Sequence, residues 1–238
     1  MTGYRNLNGA IEVEDISITQ KLFQGLLGRE DAIAIIDGPT GAALTAGVLI
    51  DRIRRLAGGL TERGVLPGGT VAILAPNMPD YPVVFHAVAW GGGTVTTINP
   101  SYTAPEIAHQ LADAGAVMLV TTPAFAAVAR LAAQGTGVRD VVVIGGQDGL
   151  TLEDVMGRPL MEQAPIDPTR HVVVLPYSSG TTGRPKGVML SHRNLIANAF
   201  HYMTTVPQRE DDLMLVMAPL FHAAGSNGVI ANIWTLGT

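Results

Sequence analysis

One stretch of the sequence has the residue types that bind a polyphosphate: residues 177–188, which read YSSGTTGRPKGV. Its glycines let backbone N–H groups turn toward one point and form a nest for an anion. Its hydroxyl side chains add donors, and Lys186 supplies a positive charge on a long stem. Such donors would stabilise the charge that builds on a departing pyrophosphate. The glycines are Gly180, Gly183 and Gly187, and the hydroxyl residues are Ser178, Ser179, Thr181 and Thr182.

A solvated surface turn is the alternative interpretation of this loop, because Gly, Ser and Thr are ordinary turn residues. The loop is not a Walker A motif, since Lys186 is followed by Gly187 and not by Ser or Thr. The sequence also lacks the G-x-G-x-x-G, G-x-S-x-G and H-E-x-x-H motifs of dinucleotide, hydrolase and metalloprotease sites. The whole string favours phosphate binding over a plain turn.

The composition excludes several classes of protein. Apolar residues make up 47% and charged residues 15% of the 238 residues, which predicts a folded chain with a sizeable core. A net charge of −5 argues against a nucleic-acid partner. The absence of cysteine and of a signal-peptide pattern leads us to predict a cytoplasmic location. Residues 213–238 carry no charge, but Pro219 and Gly225 interrupt them, so we predict no membrane span.

An alternation of short apolar runs and amphipathic segments predicts the elements that hold this loop. Uniformly apolar strands that alternate with helices are typical of a doubly wound, mostly parallel α/β sheet. We predict strands at residues 70–75, 94–98, 117–120, 141–144, 171–177 and 213–218. We predict helices at residues 45–63, 103–114, 125–133 and 191–200, one from Asn77 as cap to Trp90, and a last one after 218.

Residues 177–188 resemble the phosphate-binding signature of the adenylate-forming superfamily, which includes acyl-CoA synthetases, aryl-CoA ligases, luciferases and peptide-synthetase adenylation domains. Residues 58–120 and the stretch MAPLFHAAG at 217–225 are similar to other parts of the N-terminal half of these enzymes. The resemblance implies a carboxylate–CoA ligase: a carboxylate attacks ATP to give acyl-AMP and pyrophosphate, and coenzyme A then takes the acyl group. It also implies Mg²⁺, bound through phosphate oxygens and not by a metal site of this chain.

The resemblance assigns roles to individual residues. Lys186, Thr181 and Thr182 would act on the reacting phosphates, and the remaining phosphate ligands would be Ser178, Ser179, Gly180 and Gly183. The pocket for the carboxylate would be lined by Phe221, His222, Ala224 and Gly228. On its position alone, His222 could equally be a partly buried structural histidine.

The sequence PLFHAAG at 219–225 also bears on the substrate. It offers no aspartate to pair with a substrate ammonium, which argues against an amino acid. Plant coumarate ligases carry a tyrosine two residues after the histidine, and Ala224 stands there, although the sequence as a whole still resembles the 4-coumarate–CoA ligase branch. We therefore expect a fatty acid or a larger aryl acid.

The resemblance further implies two subdomains. Residues 66–205 would form one that carries the loop, and residues 16–63 and 211–238 would be pieces of a second, incomplete one that could support self-association. The sequence contains no Tyr-Gly-x-Thr-Glu motif, no Thr-Gly-Asp motif and no C-terminal catalytic lysine, which in the family lie beyond the equivalent of Thr238. We therefore expect an N-terminal fragment that does not make acyl-AMP by itself. The alternatives are a non-enzymatic nucleotide-binding or interaction module and a hydrolytic NTPase.

Overall fold

A computed structural model describes residues 13–178, 185–206, 209 and 212–222 of the chain. The strands are β1 (Ile33–Ile36), β2 (Ala43–Thr45), β3 (Thr70–Leu74), β4 (Thr94–Thr97), β5 (Ala116–Thr121), β6 (Asp140–Val143), β7 (Val172–Ser178), β8 (Lys186–Gly187) and β9 (Leu190–Ser191). The helices are α1 (Ile18–Leu26), α2 (Ala46–Glu62), α3 (Asp80–Trp90), α4 (Ala104–Asp113), α5 (Ala126–Ala133), α6 (Leu152–Val155) and α7 (His192–Thr205).

The central sheet has the strand order β6-β5-β3-β4-β7-β8, and β9 pairs with the other part of β7. Strands β3 to β7 are parallel, whereas β8 and β9 run antiparallel to β7. In β3 every residue after Thr70 is buried, as expected for a strand covered on both faces. The predicted mostly parallel α/β sheet is confirmed, and the carboxyl ends of its five parallel strands share one edge.

Helices cover both faces of this sheet. Helix α3 is buried from Tyr81 to Trp90 because it lies between the sheet and helices α1 and α2. One apolar cluster includes residues of α1, α2, α3 and α7 together with residues of the sheet, while α4 and α5 bury a second cluster on the sheet. The described residues of the two predicted subdomains therefore share a core, and the division between them stays a prediction.

Local sequence signals predicted most ends of the expected helices correctly. The predicted capping box is present in α4, where the Thr103 N–H and hydroxyl both donate to Glu106 Oε2 at 2.7 Å. Ser191 caps α7 as predicted, although this helix continues to Thr205. Gly64, which follows α2, has the left-handed backbone angle φ +68° that favours glycine.

Two predictions near the carboxyl edge of the sheet are wrong. Helix α3 begins at Asp80 after Pro79, and Asn77 does not cap it, because the Asn77 side chain bonds residues 216–220 instead. Residues 213–218 form no strand, since none of the described strands pairs with them in a ladder. Leu213, Leu215 and Met217 are therefore 72%, 77% and 80% exposed. The predicted helix after residue 218 falls on 223–238, outside the described residues.

The described part of the chain contains no helix long and apolar enough to cross a bilayer.

A close backbone approach at Gly59 gives a testable consequence for stability. A Cβ at this residue of α2 would lie 1.6 Å from the Val155 carbonyl oxygen. Since backbone must move to relieve this clash, we expect Gly59→Ala to lower the free energy of unfolding by about 3 kcal/mol, at the upper end for overpacking. Urea denaturation of the purified variant measures the change.

Gly38→Ala is the matched control, because a Cβ there would meet nothing within 4 Å. We expect Gly38→Ala to unfold within about 1 kcal/mol of the wild type. Equal unfolding free energies for the two alanine variants would contradict the close approach of α2 to residues 155–160.

Candidate functional site

The base of the predicted phosphate loop is a short antiparallel pairing at the end of β7. Tyr177 lies opposite Gly187, and Ser178 lies opposite Lys186. The Val188 N–H adds a bond of 2.9 Å to the Pro176 carbonyl. Strand β7 itself runs parallel to β4, so the loop leaves the sheet at its carboxyl edge. In open α/β sheets, ligands bind in the crevice outside this edge.

The structure places two of the predicted phosphate ligands. Ser178 and Lys186 are both exposed and occupy directly opposite positions, which puts their side chains on one face of the pairing. Within the described residues, Lys186 forms no ion pair. The other predicted ligands lie outside the described residues: Ser179, Gly180, Thr181, Thr182 and Gly183.

Tyr177 braces the loop base against helix α4. Its hydroxyl donates to Asp113 Oδ2 at 2.5 Å, and its ring carbons lie 3.2 Å from where a Gly187 Cβ would stand. Partial burial, reinforced by the Asp113 carboxylate that accepts this bond, raises the pKa of the Tyr177 phenol well above its usual range. The hydroxyl therefore keeps its proton and its bond at neutral pH.

The segment 216–222, which includes Phe221 and His222 of the predicted carboxylate pocket, is held at the same edge by two side chains. Asn77 Nδ2 donates to the Ala218 carbonyl at 2.9 Å, and Asn77 Oδ1 accepts from the Leu220 N–H at 2.8 Å. The hydroxyl of Thr97, the last residue of β4, donates to the Phe221 carbonyl at 2.7 Å. Both anchors therefore come from the carboxyl ends of β3 and β4.

Strand β4 brings the two halves of the candidate site together. Thr97 is in register with Pro176 of β7, two residues before Ser178, and the same Thr97 bonds Phe221. His222 is exposed, and its N–H donates to the Pro219 carbonyl at 3.1 Å. Ala224 and Gly228, also predicted for the pocket, lie outside the described residues.

Sequence reasoning missed Asn77, Thr97 and Asp113 as parts of the site. Asn77 was interpreted as a helix cap, and Thr97 only as a β-branched strand residue. Position could have indicated Asn77 and Thr97, because they stand just after or at the ends of buried parallel strands. Asp113 has no such signal, since it ends helix α4.

An apolar cavity of about 360 Å³ adjoins this edge, and its described lining includes none of Ser178, Lys186, Phe221 and His222. Its lining comes from the β1–β2 hairpin, the segment that begins α3, and residues 213–216. This cavity is therefore not the predicted site.

The comparison with known proteins identifies the family. The family model described as AMP-binding enzyme matches residues 24–238. The chain belongs to the AMP-binding enzymes. The resemblance stated from the motifs is thereby confirmed.

Relatives of known name agree with this membership. The chain is 42% identical over 220 residues to 4-coumarate–CoA ligase 5 of Oryza sativa subsp. japonica, covering 88% of this chain and 40% of that protein. It is 39% identical over 184 residues to feruloyl-CoA synthase of an Amycolatopsis species, covering 77% and 35%. A crystal structure of a long-chain-fatty-acid–CoA ligase from Archaeoglobus fulgidus matches with a TM-score of 0.87 at 29% identity, covering 94% of this chain and 46% of that one. The chain thus spans less than half the length of these AMP-binding relatives.

Proposed function

We propose that the protein containing this chain is an ATP-dependent carboxylate–CoA ligase. One observation carries the proposal. In this AMP-binding enzyme, the base of the phosphate loop and segment 216–222 lie at the same edge of the sheet. Thr97 of β4 connects them. The relatives named above are ligases or synthases of CoA thioesters, which supports the same reaction class.

The reaction needs a site that stabilises charge on a leaving pyrophosphate. A carboxylate oxygen attacks the α-phosphorus of ATP, the bond from that phosphorus to the bridging oxygen breaks, and pyrophosphate leaves. Lys186 would lie against the leaving phosphates, with Ser178 opposite it and the hydroxyl and amide groups of 179–183 around them. The coenzyme A sulfur then attacks the acyl carbon, and AMP leaves with the oxygen of the mixed anhydride.

The second half of the proposed site would bind the acid. Phe221 and His222 would face the carboxylate, and the small residues Ala224 and Gly228 would leave room for its substituent. The names of the relatives include arylpropenoic and long-chain fatty acids, so an aryl or fatty acid is the proposed substrate class.

Mg²⁺ would neutralise part of the phosphate charge. The described residues hold no group of three His, Asp or Glu side chains that could bind a metal ion. We propose that the phosphate oxygens of ATP would bind this ion. Cytoplasmic location and self-association stay predictions.

Acyl-CoA formation by the protein expressed from its complete coding sequence tests the proposal. With ATP, Mg²⁺ and coenzyme A, we expect AMP and an acyl-CoA to form in equal amounts, and only when an aryl or fatty acid is added. ATP binding without turnover of any acid would favour the nucleotide-binding module instead.

A further inference from the structure

Segment 216–222 is fixed by side chains and not by a strand ladder. Among the described residues, none of the strands pairs with it, and the side chains of Asn77 and Thr97 bond its backbone. Leu220 is 6% exposed and packs into the main core, which anchors the middle of the segment. Asn77 holds the part before Phe221, and the Thr97 hydroxyl holds the Phe221 carbonyl.

Thr97 itself stands on a rigid support. It is 6% exposed, and its carbonyl accepts a bond of 3.0 Å from Gln110 Nε2 of α4. The neighbouring Thr96 hydroxyl donates to the Leu175 carbonyl of β7 at 3.0 Å and accepts from the same Gln110 at 2.9 Å. The end of β4 is therefore tied both to a helix and to the strand that leads into the phosphate loop.

This arrangement links the two halves of the site through one hydroxyl. Strand β7 carries the loop base, β4 is bonded to β7, and Thr97 bonds the residue before His222. The Thr97 hydroxyl bonds the backbone carbonyl of Phe221, and not a side chain predicted to bind substrate. The hydroxyl can therefore affect the reaction only by positioning Phe221 and His222.

We propose that Thr97 is a positioning residue for adenylate formation, which sets the distance between segment 216–222 and the base of the phosphate loop at Ser178 and Lys186. This inference rests on the function proposed above. Loss of the hydroxyl leaves the Phe221 carbonyl without its partner, so residues 221–222 move relative to β7. A misplacement of about 1 Å in a reacting group can cost about 10²-fold in rate.

Thr97→Val tests the proposal, because valine keeps the shape and β-branching and removes only the hydroxyl. In carboxylate-dependent ATP–pyrophosphate exchange by the complete protein, we expect kcat/KM for the acid to fall about 10- to 100-fold. The KM for ATP should stay within about twofold, because the loop base is untouched. Thr97→Ser retains the hydroxyl and should recover most of the lost rate.

Thr121→Val is the matched control. Thr121 ends the parallel strand β5, is fully buried, and donates to the Leu74 carbonyl at 2.9 Å, but it makes no bond to segment 216–222. A merely structural role for Thr97 predicts equal kinetic losses in the two valine variants, and that result would overturn the proposal. Unchanged exchange in Thr97→Val would overturn it as well.

Hydrogen–deuterium exchange separates this inference from the proposed function. We expect the amides of 216–222 to exchange faster in Thr97→Val than in the wild type or in Thr121→Val. If no acid supports pyrophosphate exchange in the wild type, the proposed function fails. In that case, faster amide exchange in Thr97→Val would still show that Thr97 positions segment 216–222. Unchanged amide exchange would overturn the positioning role as well.

Discussion

We expect Lys186→Ala to slow carboxylate-dependent ATP–pyrophosphate exchange by about 10²- to 10³-fold, the usual cost of removing one donor to a developing negative charge. Lys186 lies opposite Ser178 at the loop base, where a leaving pyrophosphate would accumulate charge. Because the side chain is exposed and makes no ion pair within the described residues, the loss should not come from a damaged fold. The free energy of unfolding should stay within about 0.5 kcal/mol of the wild type.

The control for the lost charge is Lys21→Ala. Lys21 lies on helix α1, where it pairs with Glu14 at 2.8 Å, so its removal changes the net charge equally without touching the loop. We expect Lys21→Ala to retain wild-type exchange. Full exchange in Lys186→Ala, with an unchanged KM for ATP, would remove Lys186 from the phosphate site.

Two buried histidines make the fold sensitive to acid. Burial, with His192 nearby, lowers the pKa of His86 to about 3, and burial, with His171 nearby, lowers the pKa of His192 to about 3. The geometry gives the reason for His192: its Nδ1 accepts the Ile18 N–H at 3.1 Å, and its Nε2 is buried without a partner among the described residues. A proton on Nδ1 would break the bond to helix α1.

The folded protein loses stability as the pH falls, because the two histidines bind protons more weakly in the folded chain than in the unfolded one. Both histidines stay neutral in the folded protein above about pH 3, whereas in the unfolded chain they take up protons below about pH 6.5. Their contribution to stability is therefore complete above pH 6.5 and is lost as the pH falls toward 3. Between pH 7 and pH 5 we expect a loss of about 2 kcal/mol for each histidine, on the order of 4 kcal/mol together.

Urea denaturation at the two pH values measures this loss. His192→Asn keeps an acceptor near the Nδ1 position and removes the titration, so about half of the loss should disappear. His201→Asn, an exposed position on the same helix α7, should leave the loss unchanged. An identical pH dependence in His192→Asn and the wild type would contradict the assignment.

The sequence predicted the elements whose signals are local. Strands such as β3 and helices such as α2 follow from short apolar runs and from helical spacing, and the Thr103 and Ser191 caps lie within three residues of their partners. These predictions do not depend on what packs against each helix or strand, and the structure confirms them.

The sequence could not predict contacts between distant parts of the chain. Asn77 has the residue type of a cap, but its partners lie about 140 residues later, and only the folded chain brings them together. The apolar run at 213–218 has the composition of a strand, yet a strand needs a neighbour, which the described residues do not supply. The bond from Thr97 to Phe221 likewise has no local signature.

Pyrophosphate exchange by the wild-type protein, expressed from its complete coding sequence, tests the central claim most directly. Labelled pyrophosphate, ATP and Mg²⁺ are mixed with aryl acids, fatty acids or amino acids, and incorporation of label into ATP is counted. We predict incorporation with an aryl or fatty acid, and none with amino acids or without acid. Phosphate release from ATP without any acid, or no incorporation with every acid tried, would contradict a carboxylate–CoA ligase.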